Sequence, residues 1–496
     1  MRGDADFERV VVRAGVSSRI PSARLGSVRD QAAGSRKWRG ARSRVVQAGT
    51  SMHRFISFRR ARIVVIILTV IWSGSMALAE EGAAPGQSVG EASTKPFLAQ
   101  VVGLEWLNPL QRRDYPTEWQ LLWTLGLVAP NKCDDMVRTN PKKYSTLQPI
   151  SIVADGQWGS ESFKGFYKKY IDNTLFVFRT RYVTDGSYFY TVNPSDRSKW
   201  RELAGVHVEL AIPAGRLDPA LAKSHLSDRM VDFFEIGNPS AKDLWSRDTP
   251  PDVHVTSGRE NAGFTSLDAA LDYLQVHPDK SVWVMNWDAP SFPPNDEQLN
   301  ENLALLILAG QNLKTGREPL AWIGKTAKSN AKDFDAKQGA SRAVQAWKAA
   351  IDTAAHNAGV TVQSLNYIVH DAGKGSDAAS ARIGSLSRSL TEVLPEYDFS
   401  KQMFNTSALL GDMGAGTALT NVALAIGRAN HWGGNVLVAG TADPDQPTAV
   451  VVVPPSKLTP IDPDKDWFRA RGENNAYLPW WGRRHDARPA AQGYSE

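Results

Sequence analysis

The alternation of strands and helices from about residue 250 onward constrains the fold of this chain most strongly. A strand at 253–258 precedes a helix that begins at Ser266, and a buried strand at 282–287 follows. The alternation continues with a helix at 300–308, strands at 320–323 and 365–370, helices at 343–358, 379–394 and 417–430, and a hairpin at 435–455. Because strands that alternate with helices form a mainly parallel sheet covered by helices, we predict an α/β fold here.

Two of these strands end in similar sequences, VWVMNWDAP at 282–290 and NYIVHDAG at 366–373. Each follows a helix and a turn, and each closes on Asp-Ala. We interpret the pair as a weak internal duplication. Ligands of open α/β sheets bind at the carboxyl ends of strands, so we expect two superposed halves to bring their strand ends to one crevice. The candidate crevice residues are Asp288, His370, Asp371, Asp377 and Asp412.

Residues 96–248 have a more mixed pattern. Apolar side chains at helical spacing between Glu118 and Val128 predict a helix. The β-branched and aromatic stretches at 174–192 and 203–212 predict strands. We therefore expect an N-terminal α+β region at 96–248 and a separate α/β domain at 249–455.

Residues 63–79 form an apolar stretch that follows a basic run at 54–62 and ends in a small-residue site before Glu80. This pattern is typical of a secretory signal peptide, and an uncleaved anchor is the alternative. We assign 52–79 to one of these two, with membrane contact through the apolar stretch.

The remaining N-terminal residues are polar. Residues 1–51 are rich in Arg, Ser and Gly, and we predict a disordered basic extension. It lies upstream of a natural start at Met52, or else it is a true basic arm. Residues 80–95 are predicted to be a linker.

Charge and cysteine content exclude several classes of function. The formal net charge is +5, but the excess of basic residues is concentrated before residue 63, so the body is nearly neutral and no nucleic-acid partner is expected. Cys133 is the single cysteine, which excludes an intrachain disulfide. Its neighbours Asp134 and Asp135 disfavour a reactive thiolate.

The second half resembles the C-terminal half of thiolase and ketoacyl-synthase folds. The resemblance lies in the strand end His370-Asp371 with its downstream Asp377, and in the Gly-rich stretch LGDMGAGT at 410–417 that opens a helix. It implies a duplicated mixed sheet with covering helices. Asp412 stands where those enzymes carry a second His, and no Cys stands at a helix start in the first half. A carboxylate at position 412 would repel a developing oxyanion, so the resemblance does not imply that this chain performs the acyl-transfer chemistry of those enzymes.

Over residues 95 to the C-terminus the chain is similar to the type VI secretion lipase adapter family. The resemblance is carried by KPFLAQVVGLEWLNP (95–109), RRDYPTEWQLLWTLGLV (112–128), TPPDVHV (249–255), VWVMNWDAP (282–290), LLGDMGAGTALTNVALAI (409–426) and DWFRARGENNAYLPWWG (466–482). It implies a bacterial adapter that binds a lipase-class antibacterial toxin and helps load it on the type VI spike protein, without catalytic residues, cofactor or metal. Adapters of this kind load toxins in the cytoplasm, whereas the signal-like segment indicates an inner-membrane anchor or, if it is cleaved, the periplasm.

The C-terminal tail, 456–496, is rich in Trp and Arg, which are frequent at the centres of protein interfaces. The candidate interface residues are Trp467, Phe468, Arg469, Tyr477, Trp480 and Trp481. The alternative is that this tail folds back over the sheet.

Two further functions remain open from the sequence. One is an unusual thiolase-like enzyme that uses His370, Asp371 and Asp412 on acyl-thioesters. The other is a membrane-tethered periplasmic binding protein. Asp252 and His254 have the i, i+2 spacing of metal ligands on a strand, but the sequence offers no evident third ligand, which favours a solvated strand end.

Overall fold

The computed structural model describes residues 96–107, 117–128, 162–183, 189–191, 201–289, 301–336, 339 and 341–460. The strands are β1 (Leu98–Leu107), β2 (His207–Pro213), β3 (Asp252–Gly258), β4 (Ser281–Asp288), β5 (Asn302–Ala309), β6 (Ala321–Gly324), β7 (Ala327–Lys328), β8 (Leu365–His370), β9 (Met403–Asn405), β10 (Asn435–Gly440) and β11 (Thr448–Val453). The α-helices are α1 (Thr117–Thr124), α2 (Phe163–Tyr182), α3 (Pro219–Phe234), α4 (Ala262–Val276), α5 (Arg342–Asn357), α6 (Asp377–Val393), α7 (Thr406–Leu410) and α8 (Thr417–Trp432).

The strands form one mixed sheet that contains the same topology twice. Its order is β3-β2-β4-β5-β1-β6-β11-β10-β8-β9, with β7 paired to β11. In the first half β2 pairs parallel with β3 and β4, whereas β5 is antiparallel to β4 and β1. In the second half β8 pairs parallel with β9 and β10, whereas β11 is antiparallel to β10 and β6. The halves meet where β1 and β6 pair antiparallel. The predicted α/β fold with a duplicated mixed sheet is therefore confirmed.

The apolar side chains explain why helices lie on both faces of each half. Alternate residues of β4 enter different clusters: Val282 and Val284 pack with α4 and α8, whereas Trp283 and Met285 pack with α2 and α3. The strands of the second half divide in the same way between the α4–α8 cluster and a cluster with α5 and α6. Helices α4 and α8 thus share one central core, and each half has its own outer core.

The duplication relates different strands from those that the sequence comparison paired. The counterpart of β4, which ends in Asp288, is β10, and the counterpart of β8, which ends in His370, is β2. The pairing of the two Asp-Ala strand ends was therefore wrong, although the duplication itself is real. The similar sequences follow strands at different places in the repeat.

Two predicted elements were also of the wrong type. Residues 174–182 belong to α2, because Tyr167, Ile171, Leu175 and Phe178 bury one face at helical spacing despite their strand-like composition. The predicted helix at 300–308 is β5, whose Leu-rich sequence is buried on both faces. The other predicted helices and strands from residue 250 onward are confirmed.

The predicted boundary between residues 248 and 249 falls within the first half, between β2 and β3, which pair along their length. The described residues belong to one compact unit, Val89–Glu496. Residues 1–51, 52–79 and 80–95, and the tail from 461 onward, lie outside the described residues. Among the helices that are described, none has the length and apolar character to cross a membrane.

Candidate functional site

Asp288, at the end of β4, binds the start of α8 from the other half of the molecule. Its Oδ2 accepts the backbone N–H of Ala415 at 3.0 Å, in the short 3-10 turn that leads into α8. Its Oδ1 accepts Nη1 of Arg216 at 2.9 Å and the backbone N–H of Ala289 at 2.8 Å. A carboxylate is stabilised at a helix start because the amide groups there have no partner within the helix. Asp288 therefore joins the two halves of the sheet.

The electrostatic state of Asp288 follows from its burial. Desolvation raises its pKa to about 7, although Arg216 and the backbone N–H groups of Ala415 and Ala289 act in the opposite direction. The charge of Asp412 raises this pKa further. Asp412 itself is exposed, and its Oδ1 accepts the N–H of Gly414 at 2.8 Å. The sequence predicted that Asp288 and Asp412 would share one crevice, and the two groups interact electrostatically.

Two buried asparagines hold the same helix start. Asn286 on β4 donates Nδ2 to the carbonyl of Gly416 at 2.8 Å, and Asn302 on β5 donates to that carbonyl at 3.2 Å. Gly416 must lack a side chain here, since a Cβ would lie 2.6 Å from Oδ1 of Asn302. We did not single out these asparagines from the sequence. Their signal was a polar residue within an otherwise apolar strand, which implies a buried hydrogen-bond partner.

His370 and Asp371 at the end of β8 are buried, and hydrogen bonds join them to residues of the second half. Nδ1 of His370 accepts the N–H of Ala372 at 3.2 Å, and burial lowers the pKa of His370 to about 4. Oδ1 of Asp371 accepts both the N–H and the hydroxyl of Thr441, each at 2.7 Å. Burial raises the pKa of Asp371, although the bonds from Thr441 act in the opposite direction. Its Oδ2 is buried and has no hydrogen-bond partner among the described residues.

The start of α4 approaches this second strand end. A Cβ on Gly440, at the end of β10, would lie 2.5 Å from Cε2 of Phe264 and 3.1 Å from Oδ1 of Asn261. Oδ1 of Asn261 is buried without a hydrogen-bond partner among the described residues, and the charge of Glu260 acts on Asp371. The side chains of Asn261, Glu260 and Asp371 therefore lie near one another. The two atoms without a hydrogen-bond partner among the described residues, Asn261 Oδ1 and Asp371 Oδ2, are both acceptors.

The structure places the other candidate residues apart from these buried groups. Asp377 is exposed in the first turn of α6. Trp467, Phe468, Arg469, Tyr477, Trp480 and Trp481 lie outside the described residues, as does Cys133.

An aromatic and arginine cluster at the end of α8 was not recognised from the sequence. Trp432 is 63% exposed, and the guanidinium of Arg428 lies 5.2 Å from its ring. The same guanidinium lies 4.7 Å from the ring of Tyr367 on β8. Nε and Nη1 of Arg428 are buried and make no hydrogen bond with any described residue. We call Trp432, Arg428 and Tyr367 the Trp432 cluster.

These features define an α/β protein with a duplicated mixed sheet whose strand ends hold acids and amides. Residues 325–454 match the family model described as type VI lipase adapter protein Tla3, C-terminal. The match begins directly after β6 and ends after β11, so it covers most of the second half. The adapter resemblance predicted from the sequence is confirmed over these residues.

The solved structures that are similar to this chain include ketosynthases. The ishigamide ketosynthase/chain length factor is 14% identical, with a TM-score of 0.44, over 71% of this chain and 98% of its own. The ketosynthase from module 6 of the bacillaene synthase from Bacillus subtilis 168 is 10% identical, with a TM-score of 0.45, over 72% of this chain and 71% of its own. The chain matches none of the curated proteins.

Proposed function

We propose that this chain is a non-catalytic adapter that binds a lipase-class antibacterial effector and helps load it on the type VI spike protein. The observation that carries this proposal is the match of residues 325–454 to the lipase adapter family model. The function belongs to the surface of the second half rather than to the crevice.

The groups at the strand ends favour a non-catalytic, protein-binding role for this chain over acyl transfer. Acyl transfer through a covalent intermediate needs a nucleophile and hydrogen-bond donors for the oxyanion. At the end of β8, the start of α4 instead brings the Oδ1 of Asn261 and the charge of Glu260 close to the carboxyl of Asp371. Acceptor oxygens and acidic groups repel a developing negative charge. Asp288, for its part, is engaged in binding the start of α8.

The Trp432 cluster supports a contact face within the matched residues. Trp, Tyr and Arg are the residue types that most often dominate binding energy at protein interfaces. The exposed indole of Trp432 offers an apolar anchor to the effector, and the buried guanidinium of Arg428 contacts its ring and holds it in place. We place the centre of the effector contact here.

A binding titration with purified variants tests this assignment. Trp432→Ala should weaken binding of the lipase-class effector about 30-fold, which corresponds to the ~2 kcal/mol typical of a central interface residue. Phe176→Ala is the matched control, because Phe176 is 66% exposed on α2 in the first half. Equal affinities for both variants would contradict a contact centred on Trp432.

The enzymatic alternative has its own test. If the chain turned over acyl-thioesters, His370→Ala should abolish that activity while the protein stays folded. We expect no turnover in the parent chain, because His370 is buried and its Nδ1 is engaged. Turnover that disappears in the variant would replace the adapter proposal.

The compartment is a separate proposal. We place the protein in the cytoplasm or anchored to the inner membrane, with residues 63–79 in contact with the bilayer. Sequencing of the mature N-terminus tests this, because a protein that begins at Glu80 would be exported to the periplasm.

A further inference from the structure

Four ionisable side chains lie on one face of two paired strands at an edge of the sheet. Strands β2 and β3 pair in parallel, with His207 opposite Asp252 and Glu209 opposite His254. Residues two apart on a strand point to the same face, so all four side chains share a face. They lie at the beginnings of both strands, whereas the crevice lies at strand carboxyl ends. On β2 the other face carries Val208 and Leu210, which belong to the outer core.

His207 is held in place from two sides. Its ring stacks on Tyr273 of α4, with centroids 4.1 Å apart and planes 7° apart. Its Nε2 lies 2.9 Å from Oε1 of Glu209, and both side chains are only 8% exposed. A buried carboxylate that accepts one ring N–H fixes the tautomer and leaves the other nitrogen, Nδ1, with its lone pair free for a ligand bond.

The free side of His207 faces the half-exposed pair on β3. Nδ1 of His207 lies 3.3 Å from Oδ2 of Asp252, and Nε2 of His254 lies 2.9 Å from the same oxygen. One ligand atom from each residue lies within 4.8 Å of the others. Ligands at 2.0–2.2 Å from a tetrahedral Zn²⁺ lie about 3.3 to 3.6 Å from one another. The three donors therefore already have nearly the spacing that such an ion requires.

We propose that His207 Nδ1, Asp252 and His254 Nε2 form a site for a divalent transition metal of the zinc type, with Glu209 orienting His207. Two imidazoles and one carboxylate match the preference of Zn²⁺, whereas Ca²⁺ and Mg²⁺ prefer oxygen ligands throughout. Because Asp252 and His254 are 59% and 48% exposed, the fourth position opens to solvent. The ion would join edge strand β3 to β2.

Cobalt(II) titration of the chelator-treated full chain tests this site, because tetrahedral Co²⁺ absorbs strongly in the visible. The parent should bind one equivalent with that absorption, and Zn²⁺ should displace it. His254→Ala and Asp252→Asn, at exposed positions, should each weaken binding at least 100-fold. Glu209→Gln should weaken it 10- to 100-fold, as is typical of a carboxylate that orients a ligand.

His356→Ala is the matched control, because His356 is exposed at the end of α5 and should leave binding unchanged. A thermal melt gives a second readout: Zn²⁺ should raise the midpoint of the parent but not that of His254→Ala. The inference is overturned if the parent binds no stoichiometric Co²⁺, or if His254→Ala binds as tightly as the parent. Either result leaves the adapter proposal standing, since this site lies on the first half.

Discussion

The two central helices begin in similar positions of the repeat but are held in different ways. The start of α8 donates a hydrogen bond to Asp288 and accepts hydrogen bonds from Asn286 and Asn302 of the first half. The start of α4 lies against the end of β10, where Phe264 packs over Gly440. The repeat has therefore kept the path of the chain in both halves, whereas the contacts between the halves differ. Three buried polar side chains hold the start of α8. The contacts of α4 with the second half include Phe264 against Gly440 and the exposed pair Lys328–Thr265.

The strand ends differ in charge as well as in position. Asp288 reaches across to the other half, and burial raises its pKa. His370 stays within its own half, and burial lowers its pKa. Because burial disfavours the charged form of each group, these two residues should affect stability with opposite dependence on pH.

The largest expected effect concerns Asp288. Its pKa is about 7 in the folded protein against 3.8 for a free side chain, so the folded state holds the proton more tightly between these values. Asp288 should therefore contribute a loss of stability of up to ~4 kcal/mol to the parent as pH rises from about 4 to 7. Asp288→Asn should remove this loss. Urea unfolding at several pH values measures it, and an unchanged pH slope in the variant would show that Asp288 is not buried as described.

The effect of His370 should be somewhat smaller and of opposite sign. Its pKa falls from 6.5 to about 4 on folding, so the unfolded chain binds more protons between these values. His370 should therefore contribute a gain of up to ~3 kcal/mol as pH rises from about 4 to 6.5, which offsets most of the loss from Asp288 in the parent. His370→Asn should lack this gain in the same unfolding series. A variant that follows the slope of the parent would contradict the account of this strand end.

Gly416→Ala should destabilise the start of α8, where Asn286 and Asn302 bind the carbonyl of Gly416. The added Cβ would lie 2.6 Å from Asn302 Oδ1, in a buried network that has little room to move. We expect a loss of about 2 kcal/mol in the free energy of unfolding. Gly384→Ala on α6 is the control, since nothing lies within 4 Å of its Cβ position and alanine favours a helix. Equal effects in the two variants would mean that the start of α8 is not tightly packed.

Asn261→Ala should have the smallest effect. Asn261 precedes α4, but its side chain makes no capping hydrogen bond. We expect a change within about 0.5 kcal/mol in chemical unfolding, as for positions without a specific interaction. A loss as large as that of Gly416→Ala would show that polar groups hold both helix starts.

Sequence periodicity was sufficient for most elements and for the α/β class, because amphipathic helices such as α5 and hairpins such as β10–β11 have strong local signals. It failed for β5, since a strand buried on both faces has no alternation to distinguish it from a Leu-rich helix. It also failed within α2, where the burial of one helical face outweighed the strand preference of Phe and Val.

The candidate site was predicted only in part. Asp288, His370 and Asp371 do lie at buried strand ends, because an acid after an apolar strand is visible in the sequence. The partners of these groups come from distant segments: Ala415 lies 127 residues after Asp288, and Thr441 lies 70 residues after Asp371. Likewise His207 joins Asp252 and His254 only through the pairing of β2 with β3. Such contacts depend on strand order, which a single sequence does not specify.

The central claim is that the chain acts by holding another protein. Sedimentation of the purified full chain mixed with a lipase-class type VI effector from the same organism tests this most directly. We predict one heavier species of defined stoichiometry at micromolar concentrations. Two separate boundaries at the masses of the free proteins would contradict the claim.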